Sequence, residues 1–152
     1  MEKRMNFGKV EPAAYTAMDA LDTYNEKTSL EKLERELIKI RASQINGCGY
    51  CLNQHSLDAR KAGASEQWVF LIGAWREAGK IFTDEEKLLL QMTEEITLIS
   101  QHGLSDASYS QSIAAFGEQK TAQIIMAIVT INAWNRLGVS AHLHPKKNNL
   151  AI

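Results

Sequence analysis

Apolar residues recur every three or four positions along most of this chain, which is the spacing of amphipathic helices. No stretch alternates apolar and polar residues in the manner of a half-buried strand. The pattern therefore predicts an all-α fold, a bundle of about six to seven helices. The predicted segments, with their capping residues, are 13–24, 28–44, 50–62, 65–78, 83–100, 105–117 and 118–137.

Capping residues indicate where several of these helices begin and end. Thr28 with Glu31, and Thr83 with Glu86, have the spacing of a capping box, in which each side chain bonds the backbone N–H of the other residue. Gly138 follows the last periodic residue and is expected to close the final helix.

The final helix contains the run Ile124–Ile131, which is apolar on nearly every side. A helix of this kind must be buried, either at the centre of the fold or in a subunit interface. The run is too short to span a bilayer. His102, followed by Gly103, is interpreted as a helix stop, and no chemistry is assigned to it.

Length and composition are typical of one domain, 1–152, with a core of about 12–140 and a tail of about 141–152 that has little to pack. The net charge is −1 and no basic stripe is present, which argues against nucleic acid or an anionic membrane as partner. No apolar run follows the first charged residues, so we expect no signal peptide and a cytoplasmic location. In that reducing compartment a close cysteine pair is more often catalytic or metal-binding than structural.

Both cysteines of the chain stand at the start of one predicted helix. Asn46-Gly47 interrupts the preceding helical pattern, which places Cys48 at the N-terminus of the next helix and Cys51 one turn inside it. His55 is four residues beyond Cys51, on the same face. A helix N-terminus and an imidazole both lower the pKa of a thiol, and a Cys-x-x-Cys pair can close a disulfide without a large rearrangement. We infer a redox site.

Glu36 is the acidic residue that the helical periodicity brings nearest to this site. It falls at the flank of the apolar stripe of its helix, about 40° from Ile40 at 100° per residue. It is therefore able to point at the seam where the cysteine helix packs. Periodicity alone favours a solvated charge, because Glu31, Glu34 and Lys39 stand in the same run.

Two other interpretations of the cysteines remain open at this point. In the first, the cysteines are simply small buried apolar residues, although this does not explain the spacing between Cys48, Cys51 and His55. In the second they bind zinc together with His55 or with the His142 and His144 pair.

The arrangement Glu36, eleven residues, Cys48-Gly-Tyr-Cys51, three residues, His55 resembles the alkylhydroperoxidase D-like branch of the carboxymuconolactone decarboxylase superfamily. The run Ser-Gln-Ile-Asn-Gly before Cys48 and the late Asn132-Ala-Trp-Asn-Arg segment resemble it too. The resemblance implies an all-helical fold, no bound cofactor and a homo-oligomer, commonly a trimer or a hexamer.

The resemblance also implies a thiol peroxidase activity and a role for each site residue. Cys51 is expected to be the thiolate that attacks the peroxide, and Cys48 the resolving thiol. Glu36 and His55 are expected to form a proton relay. A dithiol reductant, either a lipoylated or a thioredoxin-like protein, would restore the pair. Tyr50 replaces a histidine found in some relatives, which alters one possible proton-transfer group.

The helix dipole alone favours Cys48 as the more acidic thiol, whereas the His55 contact favours Cys51. Both arguments hold if Cys51 faces the relay and the peroxide while Cys48 faces the reductant. Two further functions stay open: a cofactor-free decarboxylase in which His55 acts on a carbon acid, and a non-enzymatic module that is redox-responsive or binds zinc.

Overall fold

The computed structural model describes residues 2–147. These residues form seven α-helices and two short 3₁₀ helices, and no strand occurs among them. This confirms the all-α prediction. The α-helices are α1 (Phe7–Val10), α2 (Pro12–Glu26), α3 (Lys32–Asn46), α4 (Gly49–Lys61), α5 (Glu66–Leu71), α6 (Asp84–Thr97) and α7 (Asp106–Ser140). The 3₁₀ helices are Ile72–Glu77 and Ile99–Gln101.

Helix α3 is the centre of the bundle and packs against α4, α6 and α7. Its apolar stripe includes Leu37, Ile38 and Ile40, all fully buried. Burying each such side chain contributes about 1.5–3 kcal/mol relative to exposure. Because the stripe fixes which face of α3 meets its neighbours, it also fixes the direction of the polar residues beside it.

The apolar run of α7 is mostly central, as its composition predicts. Ile124, Ile128 and Ile131 are fully buried or nearly so. Val129, on the opposite side, is 43% exposed and lines a shallow hollow with Ile99. Ile99 is exposed because α6 ends at Thr97, three residues earlier than expected, and the chain turns into a 3₁₀ helix. The predicted oligomeric interface stays a prediction.

One of the two predicted capping boxes is wrong. The Thr28 hydroxyl donates to the Asn25 carbonyl and so finishes α2 instead of starting α3. Helix α3 begins after Glu31, whose N–H donates to the Glu34 carboxylate at 2.8 Å. A threonine serves equally well at either end of a short loop, so its spacing alone does not decide. The Thr83 and Glu86 capping box is confirmed; its bonds are 2.8 Å and 3.1 Å long.

The two ends of the described chain lie against each other. The N–H of Arg4 donates to the Ala141 carbonyl at 3.1 Å. The short helix α1, which the pattern did not predict, is capped by Asn6. In the expected tail, the N–H of Leu143 bonds the Gly138 carbonyl; residues 148–152 lie outside the described residues. No helix in 2–147 combines the length and the apolar character needed to cross a bilayer.

Gly117 divides α7 into the two segments that the sequence predicts, with φ 77° and ψ 169°. Only glycine adopts this backbone conformation readily, and a Cβ there meets no atom within 4 Å. We expect Gly117→Ala to lower the free energy of unfolding by about 1–3 kcal/mol through backbone strain alone. Urea unfolding followed by circular dichroism measures this.

The matched control is Gly73→Ala, where the added Cβ makes only ordinary contacts with Gln44 and no positive φ is involved. We expect this variant to be close to the wild type. Equal stability of both variants would contradict the strain argument.

Candidate active site

The end of α3 delivers the first cysteine to the start of α4. Gly47 is left-handed, with φ 65°, and its N–H and that of Cys48 bond the Gln44 and Ser43 carbonyls. This is the Schellman arrangement that ends many helices. Cys48 then caps α4, where its Sγ accepts from the Cys51 N–H at 3.4 Å. The helix predicted from Asn46-Gly47 and the cysteine spacing is confirmed.

Cys48 and Cys51 form a disulfide, with Cα atoms 5.4 Å apart. Both residues are buried, at 2% and 6% exposure. The spacing of one helical turn therefore holds the two sulfurs within bonding distance while the surrounding helices exclude most of the solvent.

Gly138 of α7 lies directly over this disulfide. A Cβ at Gly138 would stand 3.0 Å from the Sγ of Cys48 and 3.6 Å from that of Cys51. The prediction that Gly138 ends the last helix is wrong, because α7 continues to Ser140. Glycine occurs here because the helix backbone approaches the sulfurs closely, and not because the chain turns.

Glu36 points into the seam between α3 and α4, as its place beside the stripe allowed. Its side chain is 1% exposed, and its Oε2 lies 2.9 Å from the Nδ1 of His55. The ammonium of Lys32 donates to Oε1 at 2.7 Å. Because the carboxylate can only accept, Nδ1 carries the proton and donates it to Oε2, which leaves Nε2 as the unprotonated nitrogen of the neutral ring.

The charge of Glu36 follows from these contacts. Burial by itself raises the pKa of the carboxyl group, but the hydrogen bond and charge of His55, with the hydrogen bond from Lys32, outweigh it and lower the pKa to about 2. Glu36 is therefore ionised at neutral pH.

Polar residues of α7 hold the end of α3 in register with the site. The Asn46 amide donates to Asn132 and to Asn135, at 3.0 Å each. Asn135 donates in turn to the buried Ser43 hydroxyl at 3.0 Å. Buried amides need such partners, so this network ties the turn before Cys48 to α7.

The two cysteines line different cavities. Cys51 and His55 line a cavity of about 230 Å³, which we call the inner cavity. Cys48 lines another of about 310 Å³, the rear cavity, whose wall includes Gly47 and Gly49. Cys51 is absent from the rear wall, and Cys48 from the inner one.

Other walls of the inner cavity come from helices far away in the sequence. Tyr15 and Trp134 meet edge to face, 5.1 Å between ring centres, and the Trp134 Nε1–H donates to Asp22 at 2.7 Å. Burial raises the pKa of the Tyr15 hydroxyl, and the negative charge of Asp19 raises it further. Sequence reasoning missed these residues because no local signal distinguishes them from ordinary packing residues. Tyr50 also lines this cavity.

The side chains suited to a cation in 2–147 are Glu36, His55 and Asp58, whose candidate donor atoms lie within 4.8 Å of one another. Both Glu36 oxygens already accept hydrogen bonds from Lys32 and His55. The group includes neither cysteine, and it differs from the zinc sets considered from the sequence.

The fold and the site define a class: an all-helical protein with a Cys-x-x-Cys pair beside a buried Glu–His pair. The Carboxymuconolactone decarboxylase family matches residues 12–95. This chain belongs to that family, as an AhpD-like member.

Similar proteins cover nearly the whole chain. The uncharacterized protein YdfG of Bacillus subtilis is 34% identical over 140 residues, which are 92% of this chain and 95% of that protein. The crystal structure of ATU0492, a protein of unknown function from Agrobacterium tumefaciens, has a TM-score of 0.91. It shares 37% identity and covers 96% of this chain and 100% of its own.

A third relative has a named activity. The alkyl hydroperoxide reductase AhpD of Streptomyces coelicolor is 38% identical over 63 residues, 40% of this chain. The match spans only 35% of that protein.

The buried carboxylate makes the stability of the protein depend on pH. The pKa of Glu36 is about 2 in the fold against an ordinary 4.5, so its stabilisation is present above pH 4.5 and is lost as the pH falls towards 2. Between those limits we expect the wild type to lose about 3 kcal/mol more unfolding free energy than Glu36→Gln. Urea unfolding at a series of pH values measures the difference.

Glu66→Gln, which removes an exposed carboxylate, is the control and should follow the wild-type curve. Parallel curves for the wild type and Glu36→Gln would show that Glu36 is not held ionised by the fold.

Proposed function

We propose that this protein is a thiol peroxidase that reduces organic hydroperoxides with electrons from a dithiol. The observation that carries the proposal is that Cys51 and His55 line the same inner cavity and that His55 is hydrogen-bonded to the ionised Glu36. The named activity of the Streptomyces coelicolor relative supports the same reaction class. In this proposal the disulfide between Cys48 and Cys51 is the oxidised state of the cycle.

Oxidation takes two steps. The Cys51 thiolate attacks the terminal oxygen of the peroxide, the O–O bond breaks, and the alcohol leaves with one proton. Cys51 is now a sulfenic acid. The Cys48 thiolate then attacks the Cys51 sulfur, the S–O bond breaks, and the disulfide forms; the hydroxide leaves as water with the proton that the Cys48 thiol had lost. Two thiols and one hydroperoxide thus give one disulfide, one alcohol and one water.

The Glu36–His55 pair supplies and receives the protons. The Nε2 of His55 accepts the thiol proton of Cys51. The resulting imidazolium lies beside the Glu36 carboxylate, whose negative charge compensates the new positive charge. The same proton is then available for the departing alkoxide. Lys32 keeps the second carboxylate oxygen bonded, so the carboxylate stays oriented towards His55.

Reduction begins at Cys48 from the rear cavity. A thiolate entering that cavity meets Cys48, which lines it, and not Cys51, which does not. It forms a mixed disulfide with Cys48 and releases Cys51 as a thiolate beside His55; the second thiol of the reductant then frees Cys48. The glycines in the wall leave room for a bulky donor, since a Cβ at Gly49 meets nothing within 4 Å.

The first test is thiol titration and intact mass spectrometry of the reduced protein, before and after one equivalent of cumene hydroperoxide. We expect the loss of two thiols and of about two mass units, more slowly in His55→Ala and Glu36→Ala. Cys48→Ser should form a trappable sulfenic acid, whereas Cys51→Ser should not. Unchanged thiols would overturn the proposal, and the reverse cysteine pattern would exchange the two roles.

A second test separates the two half-reactions. In Gly49→Phe the ring occupies the rear cavity, so we expect the rate of disulfide reduction by thioredoxin to fall by about tenfold relative to the rate of oxidation by cumene hydroperoxide. Stopped-flow tryptophan fluorescence measures both rates. Gly49→Ala is the matched control and should keep the wild-type ratio. An unchanged ratio in Gly49→Phe would place the reductant elsewhere.

A further inference from the structure

A second, larger cavity adjoins the inner cavity. This outer cavity, of about 600 Å³, shares Tyr15, Tyr50, Gln54 and Leu143 with the inner one. Because the two cavities share four wall residues they lie side by side, and together they extend from Cys51 to Lys3 and Lys146; we call the pair of cavities the path. Cavities of roughly 300–1,000 Å³ hold most small-molecule ligands, so the path accommodates a substrate far larger than hydrogen peroxide.

The wall of the outer cavity combines apolar and aromatic residues with polar ones. Its apolar and aromatic residues are Phe7, Leu57, Leu143, Tyr15 and Tyr50. Such a wall favours a hydrocarbon chain, since burying each methylene group contributes about 0.8 kcal/mol.

The two ends of the path carry opposite charge. Asp19 and Asp22 line the inner cavity, whose described wall contains no lysine or arginine. Lys3 and Lys146 line the outer cavity, and no aspartate or glutamate within 2–147 belongs to its wall. Neither lysine forms an ion pair with the described part of the chain. An anionic group is therefore repelled near Cys51 and attracted at the outer end.

We propose that the outer cavity binds the carboxylate of long-chain substrates through Lys3 and Lys146, and that fatty-acid hydroperoxides are the preferred oxidants of Cys51. The hydrocarbon chain lies over Tyr15, Tyr50 and Leu143, and the hydroperoxide group reaches the inner cavity. This inference rests on the proposed peroxidase function and adds the substrate class. The charges set the orientation, because the reverse placement would bring the carboxylate to Asp19 and Asp22.

The test compares a hydroperoxide of linoleic acid with its methyl ester, both below the critical micelle concentration. We expect the wild type to show a higher kcat/KM for the acid, and added salt to reduce this preference. In the double variant Lys3→Gln, Lys146→Gln the ratio of acid to ester should fall by about three- to tenfold. The ratio within each variant cancels any general change in activity.

Lys147→Gln is the matched control, since Lys147 is adjacent in sequence but does not line the cavity. It should keep the wild-type ratio. Equal efficiency with acid and ester in the wild type, or an undiminished ratio in the double variant, would overturn the proposal. Cumene hydroperoxide distinguishes failure of the substrate proposal from failure of the peroxidase function. If the wild type reduces neither cumene hydroperoxide nor either lipid substrate, the peroxidase function itself is wrong.

Discussion

The buried carboxylate of Glu36 is the constraint on which the site depends. An ionised carboxylate loses its hydration when it is buried, which costs several kcal/mol unless partners replace the water. His55 from α4 and Lys32 from α3 are those partners. The requirement joins α3 to α4 at one point, and that point lies one turn beyond Cys51. The hydrogen bond between Glu36 and His55 thus offsets part of the cost of burying the carboxylate and also orients the imidazole.

Helix α7 packs closely over the disulfide and lies between the inner cavity and the rear cavity. Gly138 lies over both sulfurs and lines both the inner and the rear cavity. Without a side chain at this position, the helix backbone covers the cysteine pair while each cysteine lines its own cavity. This arrangement suits a cycle in which an oxidant and a reductant must reach different sulfurs of one disulfide. The amide network from Asn46 to Asn135 keeps α7 at that distance.

The proposed substrate path is assembled from segments that are remote in sequence. The chain before α1, the helices α2 and α4, and the residues after α7 each contribute to its walls. Charge varies along the path because these segments differ in composition: α2 supplies aspartates, and both ends of the described chain supply lysines. The contact between those ends, through Arg4 and Ala141, therefore belongs to the construction of the outer cavity as well as to the fold.

Local patterns in the sequence determined the helices other than α1, the Thr83 capping box and the break at Gly117, because each depends on atoms within one or two turns. The Asn46-Gly47 break determined that Cys48 stands at the start of α4, and the sequence spacing determined that His55 follows Cys51 by one turn, for the same reason. Only the tertiary structure decided that Thr28 finishes α2, that Gly138 serves a close approach, and that Tyr15 and Trp134 face the site. It also decided the burial of Glu36, which periodicity placed beside the stripe without excluding solvent. These outcomes depend on contacts between distant segments, whose free energies are set by packing that no local spacing encodes.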